Sequence, residues 1–128
     1  MQMVSTADAP KPVAAYSQAV KLQGLVYCSG QVGFDPQTGV LAAGLEQQAE
    51  QVFKNLAAVL RAAGTHTGNI VKVNIFLVEL ATFAAVNAIY ERFVGTHRPA
   101  RTTVGVGALP AGALIEVDVI AAADDLTL

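Results

Sequence analysis

Residues 99–121 read Pro99-Ala100-Arg101-Thr102-Thr103-Val104-Gly105-Val106, a turn around Leu109-Pro110, then Ala113-Leu114-Ile115-Glu116-Val117-Asp118-Val119-Ile120-Ala121. Two runs rich in β-branched residues flank a Gly/Pro turn, a pattern typical of paired strands. Arg101, Glu116 and Asp118 are the charged residues of this apolar ribbon. A charge within an apolar strand costs free energy unless it is paired or used, so we look for chemistry here.

Symmetrical pairing of the two runs about the Leu-Pro turn predicts Thr103 opposite Glu116 and Arg101 opposite Asp118. All four side chains then share one face of the sheet, although a slip of one residue would separate them. Two interpretations stay open. In the first, Arg101 grips a carboxylate and Glu116 acts as a general base on a water molecule. In the second, the charges form a cross-strand ion pair that only stabilises the sheet.

The composition predicts one domain that associates with copies of itself. The chain has 128 residues with no break in composition, which favours a single domain over residues 1–128. Hydrophobic residues make up 53% and charged residues 14%, against roughly 25% charged in a typical domain. This shortage of charge favours an obligate homo-oligomer, because subunit interfaces are enriched in apolar area. The alternative is an unusually apolar monomer.

Several classes of partner and location are disfavoured by the sequence. The net charge is −2 and no run of Lys or Arg forms a basic face, which argues against nucleic acid binding. No apolar stretch reaches the ~20 residues of a membrane span, and no signal peptide is recognisable at the N-terminus. The single cysteine, Cys28, cannot form an internal disulfide. A cytoplasmic location fits these features best.

Local patterns predict the remaining elements and an α+β fold of order β-β-α-β-α-β-β. The helices bury one face against one side of a mixed sheet, which leaves the other side free to face a partner subunit. The predicted elements are an irregular segment over 1–12, strands Ala14–Leu22 and Leu25–Gly30 joined at Gln23-Gly24, a turn over 35–39, a helix over Leu45–Ala63, a strand over Ile70–Leu77, a helix from Thr82 to about Val94, and a polar tail over 124–128.

Other candidate site residues each have a plain structural alternative. Tyr16 opens the first strand and is either a site residue or a half-buried tyrosine. Gly30 ends the second strand, where it permits close approach of a ligand or simply marks a bulge. Asn87 on the second helix is most simply a polar contact that orients a neighbouring loop. Cys28 is interpreted as a packed thiol rather than a nucleophile. The spacing of His66 and His97 predicts no metal site, and no cofactor motif is present.

Blocks along the whole chain resemble the Rid (YjgF) family. The C-terminal block comprises Pro99-Ala100-Arg101-Thr102-Thr103-Val104, Leu109-Pro110 and Ile115-Glu116-Val117-Asp118. The other blocks are Tyr16-Ser17-Gln18-Ala19, then Ser29-Gly30-Gln31-Val32-Gly33 with Asp35-Pro36 and Gly39, and Asn87-Ala88-Ile89-Tyr90. Each block alone is weak, but their order and spacing over roughly residues 6–122 are specific.

The resemblance implies a chorismate-mutase-like homotrimer with a cleft at each subunit interface. It also implies hydrolysis of reactive enamines and imines, such as 2-aminoacrylate and 2-iminobutanoate, to 2-keto acids and ammonia, with no cofactor or metal. By position, Arg101 would bind the substrate carboxylate and Glu116 would place the attacking water. The implied wall of the cleft consists of Tyr16, Gly30, Asn87, Thr102 and Thr103.

The sequence departs from the family pattern at two places. Ala14-Ala15 precede Tyr16, where family members often have Gly-Pro, and Thr103 stands where many have cysteine. Two further functions stay open on the same resemblance. One is a non-catalytic module that binds a small ligand or a protein in the same clefts, and the other is RNA cleavage or inhibition of translation. The acidic net charge argues against RNA.

Overall fold

A computed structural model describes residues 1–123 of the chain, so the predicted tail over 124–128 lies outside the described residues. Within this part, six strands form one mixed sheet and two α-helices cover one of its faces, which confirms the predicted α+β class. The elements are β1 (Gln2–Val4), β2 (Ala19–Leu22), β3 (Leu25–Cys28), α1 (Leu45–Ala62), β4 (Ile70–Leu77), α2 (Phe83–Val94), β5 (Ala100–Gly105) and β6 (Ile115–Ala122).

The hairpin of β2 and β3 turns at the predicted dipeptide. Leu22 pairs with Leu25, and both Gln23 and Gly24 have positive φ, as a two-residue turn of the primed type requires. The strands are shorter than predicted, because Ala14–Gln18 leaves the sheet. The buried Gln18 side chain instead binds backbone groups of residues 6–10.

The N-terminal segment is not wholly irregular, as the sequence had suggested. Residues Gln2–Val4 add strand β1 antiparallel to β2, with Met3 opposite Val20. Val4 is buried at the end of this strand, and burial of its apolar side chain stabilises the pairing of β1 with β2. The prediction of an irregular segment over residues 1–12 is therefore wrong for its first part.

Both helices form where their apolar periodicity placed them. Helix α1 buries Val52, Leu56, Val59 and Leu60 against the sheet and ends before Gly64, whose φ of +82° suits the residue after a helix. Phe53 of α1 stacks on Phe93 of α2 with 4.6 Å between ring centroids, which packs the two helices together. No helix within residues 1–123 is long and apolar enough to cross a membrane.

The predicted pairing of residues 99–121 as two adjacent strands is wrong. The strand order is β1-β2-β3-β6-β4-β5, so β4 lies between β5 and β6. Strand β4 pairs in parallel with β5 and antiparallel with β6. The connection between β5 and β6 is bonded to the end of β4 on both sides, through Val106 N to Leu77 O (2.8 Å) and Val78 N to Leu114 O (3.2 Å).

This order has a physical cause in the helix that precedes β5. A strand that follows a helical crossover returns parallel to the strand before the helix, and α2 supplies that crossover between β4 and β5. Strand β4 also alternates partly buried and buried residues from Lys72 to Leu77, and buries Val73, Ile75 and Leu77. It therefore accepts a partner on each edge and separates the two runs that the sequence suggested would meet.

The changed order also changes which side chains share a face. Arg101 is level with Val73 on β4, and Thr103 is level with Ile75, so both lie on the face that carries the helices. Glu116 is level with Phe76 and Asp118 with Asn74, on the opposite face. Arg101 is thus not opposite Asp118, nor Thr103 opposite Glu116, because a central strand intervenes and the parity differs.

The face of the sheet away from the helices is not covered by any element of residues 1–123. Apolar side chains stand on it beside the polar ones, including Met3, Leu22, Tyr27 and Val104, each of which is exposed. Glu116 and Asp118 lie among them, half-buried. An apolar sheet face of this kind is a typical surface for association with another chain.

Candidate active site

The Arg101 side chain is held in place by helix α2. Its Nη1 donates a hydrogen bond of 2.7 Å to Asn87 Oδ1. Its guanidinium lies over the ring of Tyr90, 4.7 Å from the centroid, and 5.2 Å from the centroid of Phe83. Residues 83, 87 and 90 share one face of a helix, so α2 presents a cradle of two rings and an amide. We call these four residues the arginine cluster.

Asn87 is engaged at both ends of its amide. Its Nδ2 donates to Glu91 Oε1 at 3.3 Å, one helical turn along, which leaves Oδ1 to face Arg101. Asn87 is the one hydrogen-bond partner that residues 1–123 give to Arg101. The guanidinium therefore keeps donors for a ligand, and a carboxylate fits their planar fork.

Glu116 lies on the other face of the sheet, against the backbone of Gly30. A Cβ added to Gly30 would stand 2.6 Å from Glu116 Oε2, so only glycine leaves room for the carboxylate in this position. Next to this contact, the segment that follows β3 is joined to β6 by two backbone hydrogen bonds between Gln31 and Val117, of 2.9 and 3.1 Å. We call Glu116 and Gly30 the glutamate cluster.

The electrostatic surroundings of Glu116 favour its protonated form. Burial raises the pKa of this carboxyl above its ordinary value, and the negative charge of Asp118 raises it further. Asp118 itself accepts a hydrogen bond of 2.8 Å from Asn74 Nδ2, and within residues 1–123 it forms no ion pair with Arg101. A carboxylate with a raised pKa is a stronger base than an ordinary one, as a general base requires.

The segment that carries Tyr16 is anchored beside Gly30. Ser29 Oγ donates to the carbonyl of Ser17 at 2.6 Å, and Ser29 N donates to the carbonyl of Gln18 at 3.0 Å. The Tyr16 ring is half exposed, so it is available to a ligand or a second chain. These bonds tie the segment that carries Tyr16 to the residue before Gly30.

The two threonines of β5 lie on opposite faces. Thr102 faces away from the helices, and its hydroxyl accepts a hydrogen bond of 2.7 Å from Lys72 Nζ. Thr103 lies on the helix side with Arg101, and its buried hydroxyl has no hydrogen-bond partner within residues 1–123. Of the two, Thr103 thus belongs on the side of the arginine cluster.

One chain does not bring all the predicted site residues together. Arg101, Asn87 and Thr103 lie on the helix side of the sheet, at its edge strand. Glu116 lies on the open face against Gly30, and the segment that carries Tyr16 is anchored to the residue before Gly30. The predicted site therefore exists in residues 1–123 as two separate halves.

Comparison with known proteins identifies the family. The sequence profile described as Endoribonuclease L-PSP matches residues 6–123. The chain belongs to this family. It is the Rid (YjgF) family whose blocks the sequence resembles, so that resemblance is confirmed. This Rid chain is 39% identical over 127 residues to a human protein named 2-iminobutanoate/2-iminopropanoate deaminase. The alignment covers 98% of the chain and 93% of that protein.

Two further relatives of the Rid chain extend the comparison. A Saccharomyces cerevisiae protein named MMF1, mitochondrial, is 42% identical over 118 residues, covering 92% of the chain and 81% of that protein. The crystal structure of Escherichia coli TdcF with bound serine matches with a TM-score of 0.92 at 34% identity, covering 95% of the chain and 98% of TdcF. The Rid fold thus extends over nearly the whole chain.

One feature of the site in this Rid protein goes beyond what the sequence indicated. Phe83 and Tyr90 were not among the candidate site residues, yet their rings support Arg101. Their spacing from Asn87 along one helix face was the available signal, and the missing information was that Arg101 would face that helix.

Cys28 is buried, and burial, with a smaller effect of Asp118, raises the pKa of its thiol to about 12. That value agrees with a packed, unreactive thiol.

Proposed function

We propose that this Rid protein hydrolyses 2-imino acids and their enamine tautomers, of the 2-iminobutanoate and 2-aminoacrylate kind, to 2-keto acids and ammonia. The observation that carries the proposal is the arginine cluster. Asn87 and two aromatic rings fix the Arg101 guanidinium and leave part of its fork for a carboxylate. The name of the human relative supports this reaction. We further propose that the chain acts as one domain in the cytoplasm. One relative, the yeast protein, is named as mitochondrial.

The proposed site lies between two copies of the chain, in a homotrimer. Arg101 and Glu116 lie on opposite faces of one sheet, so the arginine cluster of one copy must meet the glutamate cluster of another. The open sheet face, with its exposed apolar side chains, supports such an assembly. Strand β5 is an edge strand whose alternate residues present backbone groups away from β4, so the backbone and hydroxyl groups of the Thr102-Thr103 pair complete the wall of the cleft.

Binding precedes chemistry in the proposed mechanism. Arg101 holds the substrate carboxylate with two parallel hydrogen bonds, which fixes the neighbouring C=N carbon. Asn87 acts through Arg101, because both ends of its amide are already engaged. Tyr16 and Gly30 of the other copy close the cleft over the substrate, and Gly30 leaves room for the Glu116 carboxylate beside it.

Glu116 then activates water. It accepts a proton from a water molecule whose oxygen adds to the C=N carbon, and the imine nitrogen takes up a proton from solvent and becomes an amine, giving a carbinolamine. The amine takes up a proton, the C–N bond breaks and ammonia leaves, while loss of the hydroxyl proton gives the keto acid. Imines already hydrolyse in water, so positioning together with one general base, which alone contributes ~10²–10⁴-fold, suffices.

A coupled assay tests this function. An amino-acid oxidase generates the imine from 2-aminobutanoate, and semicarbazide traps whatever imine survives. We expect the purified protein to lower the trapped product in proportion to its concentration. A protein that binds 2-oxobutanoate but does not lower the trapped imine would be a ligand-binding module, and the proposed reaction would be wrong.

The activity should depend on pH through Glu116. Only the ionised carboxylate can accept a proton, and its pKa is raised, so activity should fall on acidification at a pH above the ordinary range for glutamic acid. The acidic limb of kcat/KM against pH, measured with the oxidase and the trap checked separately at each pH, reports this pKa. A limb at or below the ordinary glutamic acid pKa would contradict the role.

Replacing Gly30 by alanine is expected to lower kcat about a hundredfold, the effect of a misplaced catalytic group. The new Cβ would stand 2.6 Å from Oε2 and 2.9 Å from Cδ of Glu116, the mobile end of a side chain, so the carboxylate moves while the backbone stays. Gly107→Ala is the matched control, because its Cβ meets nothing within 4 Å. Equal kcat values for the two variants would count against the glutamate cluster.

The family description names an endoribonuclease, which gives a second candidate function. The net charge of −2 argues against it, because RNA binding draws on neutralised phosphates. Cleavage of a labelled single-stranded RNA by the wild-type protein, lost in Arg101→Ala but retained in Arg92→Gln, would favour this candidate.

A further inference from the structure

Arg101 also lines a cavity on the helix side of the sheet that the proposed reaction does not use. The cavity has a volume of 210 Å³ and lies between α2 and the segment that leads into β5. This is room for a small organic acid beside the guanidinium. Its walls are formed by Asn87, Tyr90, Glu91, Arg98, Pro99 and Arg101.

Arg98 supplies this cavity with a second guanidinium in a fixed place. Its Nη1 donates to the carbonyls of Gly95 and His97, at 2.7 and 2.9 Å, just past the C-terminus of α2. No other hydrogen-bond partner of Arg98 occurs within residues 1–123, so its remaining donors are available. Because backbone carbonyls hold one end of the group, little freedom is lost when an anion binds the other.

The charge balance of the cavity favours an anion. Two guanidinium groups stand against one carboxylate, that of Glu91, and Asn87 already donates a hydrogen bond to that carboxylate. The charges of both guanidinium groups affect the pKa of the Tyr90 hydroxyl. Burial raises the pKa of its hydroxyl overall, while the charges of Arg101 and then Arg98 act to lower it. Both guanidinium groups therefore act on the space around one phenol.

We propose that Arg98 forms a second anion-binding position beside Arg101, which selects substrates with two carboxylates, namely imines of acidic amino acids. This inference rests on the proposed function, since Arg101 holds the first carboxylate. The α-carboxylate binds Arg101 and the side-chain carboxylate extends along the cavity to Arg98. A guanidinium group at this position would also bind a free inorganic anion. The test therefore distinguishes a free anion from the side-chain carboxylate of the substrate.

The experiment compares an acidic and a neutral imine in the wild type and in Arg98→Gln. Glutamine removes the charge but keeps an amide donor for the carbonyls of Gly95 and His97. Oxidases acting on glutamate and on 2-aminobutanoate generate the two substrates. We expect the ratio of kcat/KM for the acidic to the neutral imine to fall about tenfold at low ionic strength, the scale of one lost charge-assisted hydrogen bond.

Arg92→Gln is the matched control for net charge. Arg92 lies on the same helix but pairs with Glu50 at 2.6 Å and does not line this cavity, so the ratio should stay as in the wild type. Inorganic phosphate is added in a separate arm. If phosphate accelerates the neutral imine in the wild type and not in Arg98→Gln, the position serves a free anion and the dicarboxylate assignment is overturned.

Binding measurements separate failure of this inference from failure of the proposed function. If neither imine is hydrolysed, the reaction is wrong, and calorimetry with 2-oxoglutarate and 2-oxobutanoate then decides the inference. Tighter binding of 2-oxoglutarate that is lost in Arg98→Gln supports the second position. If neither the turnover ratio nor the binding ratio differs between the wild type and Arg98→Gln, the position does not exist.

Discussion

Replacing Arg101 by alanine is expected to abolish imine hydrolysis while the protein stays folded. The α-carboxylate of the substrate loses the cation proposed to bind it, and the C=N carbon is no longer held near Glu116, so kcat/KM should fall at least about a thousandfold. The fold should survive because Arg101 lies on edge strand β5 and is partly exposed. The stacking on Tyr90 and Phe83 that is lost amounts to about 1 kcal/mol.

Arg101→Lys separates charge from geometry. Lysine restores a cation at the same place but not the planar fork that binds a carboxylate through two parallel bonds, so activity should recover only in part. The measurements are the coupled assay, thermal unfolding and size-exclusion chromatography of each variant. Full activity in Arg101→Ala, with an unchanged oligomer, would rule out the proposed clamp.

Where structure follows from local patterns, the sequence predicts it well. In strand Ile70–Leu77 every second residue from Val71 onward is apolar, and the predicted bounds match those of β4. Helix α1 repeats its apolar residues every three or four positions and differs from the prediction by one residue at its end. In each case neighbouring residues carry the signal, so no knowledge of distant segments is needed.

The local sequence patterns did not predict which strands pair with each other. The runs around Arg101 and Glu116 both suit a hairpin, yet each pairs with β4 instead. The β-branched residues that favour strand formation suit either arrangement, and the crossover through α2 decides between them. The candidate residues were found by type and by resemblance, but their division between two faces depends on this pairing.

Replacing Glu116 by glutamine is expected to lower kcat about 10²–10⁴-fold, the usual contribution of a general base. An amide keeps the shape of the side chain but cannot accept a proton from water. Binding of 2-oxobutanoate should change little, because Arg101 provides the main contact. An unchanged kcat would remove Glu116 from the mechanism.

The stability of Glu116→Gln should rise slightly near neutral pH. Burial raises the pKa of Glu116 in the folded chain above its unfolded value. Such a group contributes stability at low pH, where it is protonated, and loses that contribution as the pH rises through its folded pKa. A neutral amide avoids the loss, so thermal unfolding at neutral pH, compared with the wild type, should show no destabilisation that could explain a lower kcat.

Mixing the two inactive variants tests the division of the site directly. If Arg101 of one copy works with Glu116 of another, a mixed oligomer contains sites formed from the arginine of Glu116→Gln and the glutamate of Arg101→Ala. When equal amounts of the variants are unfolded together and refolded, about one quarter of the sites should have both groups, by random assembly of symmetric copies. Activity should therefore return to about a quarter of the wild-type value. If both groups acted within one copy, every site would lack one of them, and the mixture would stay as inactive as its parts.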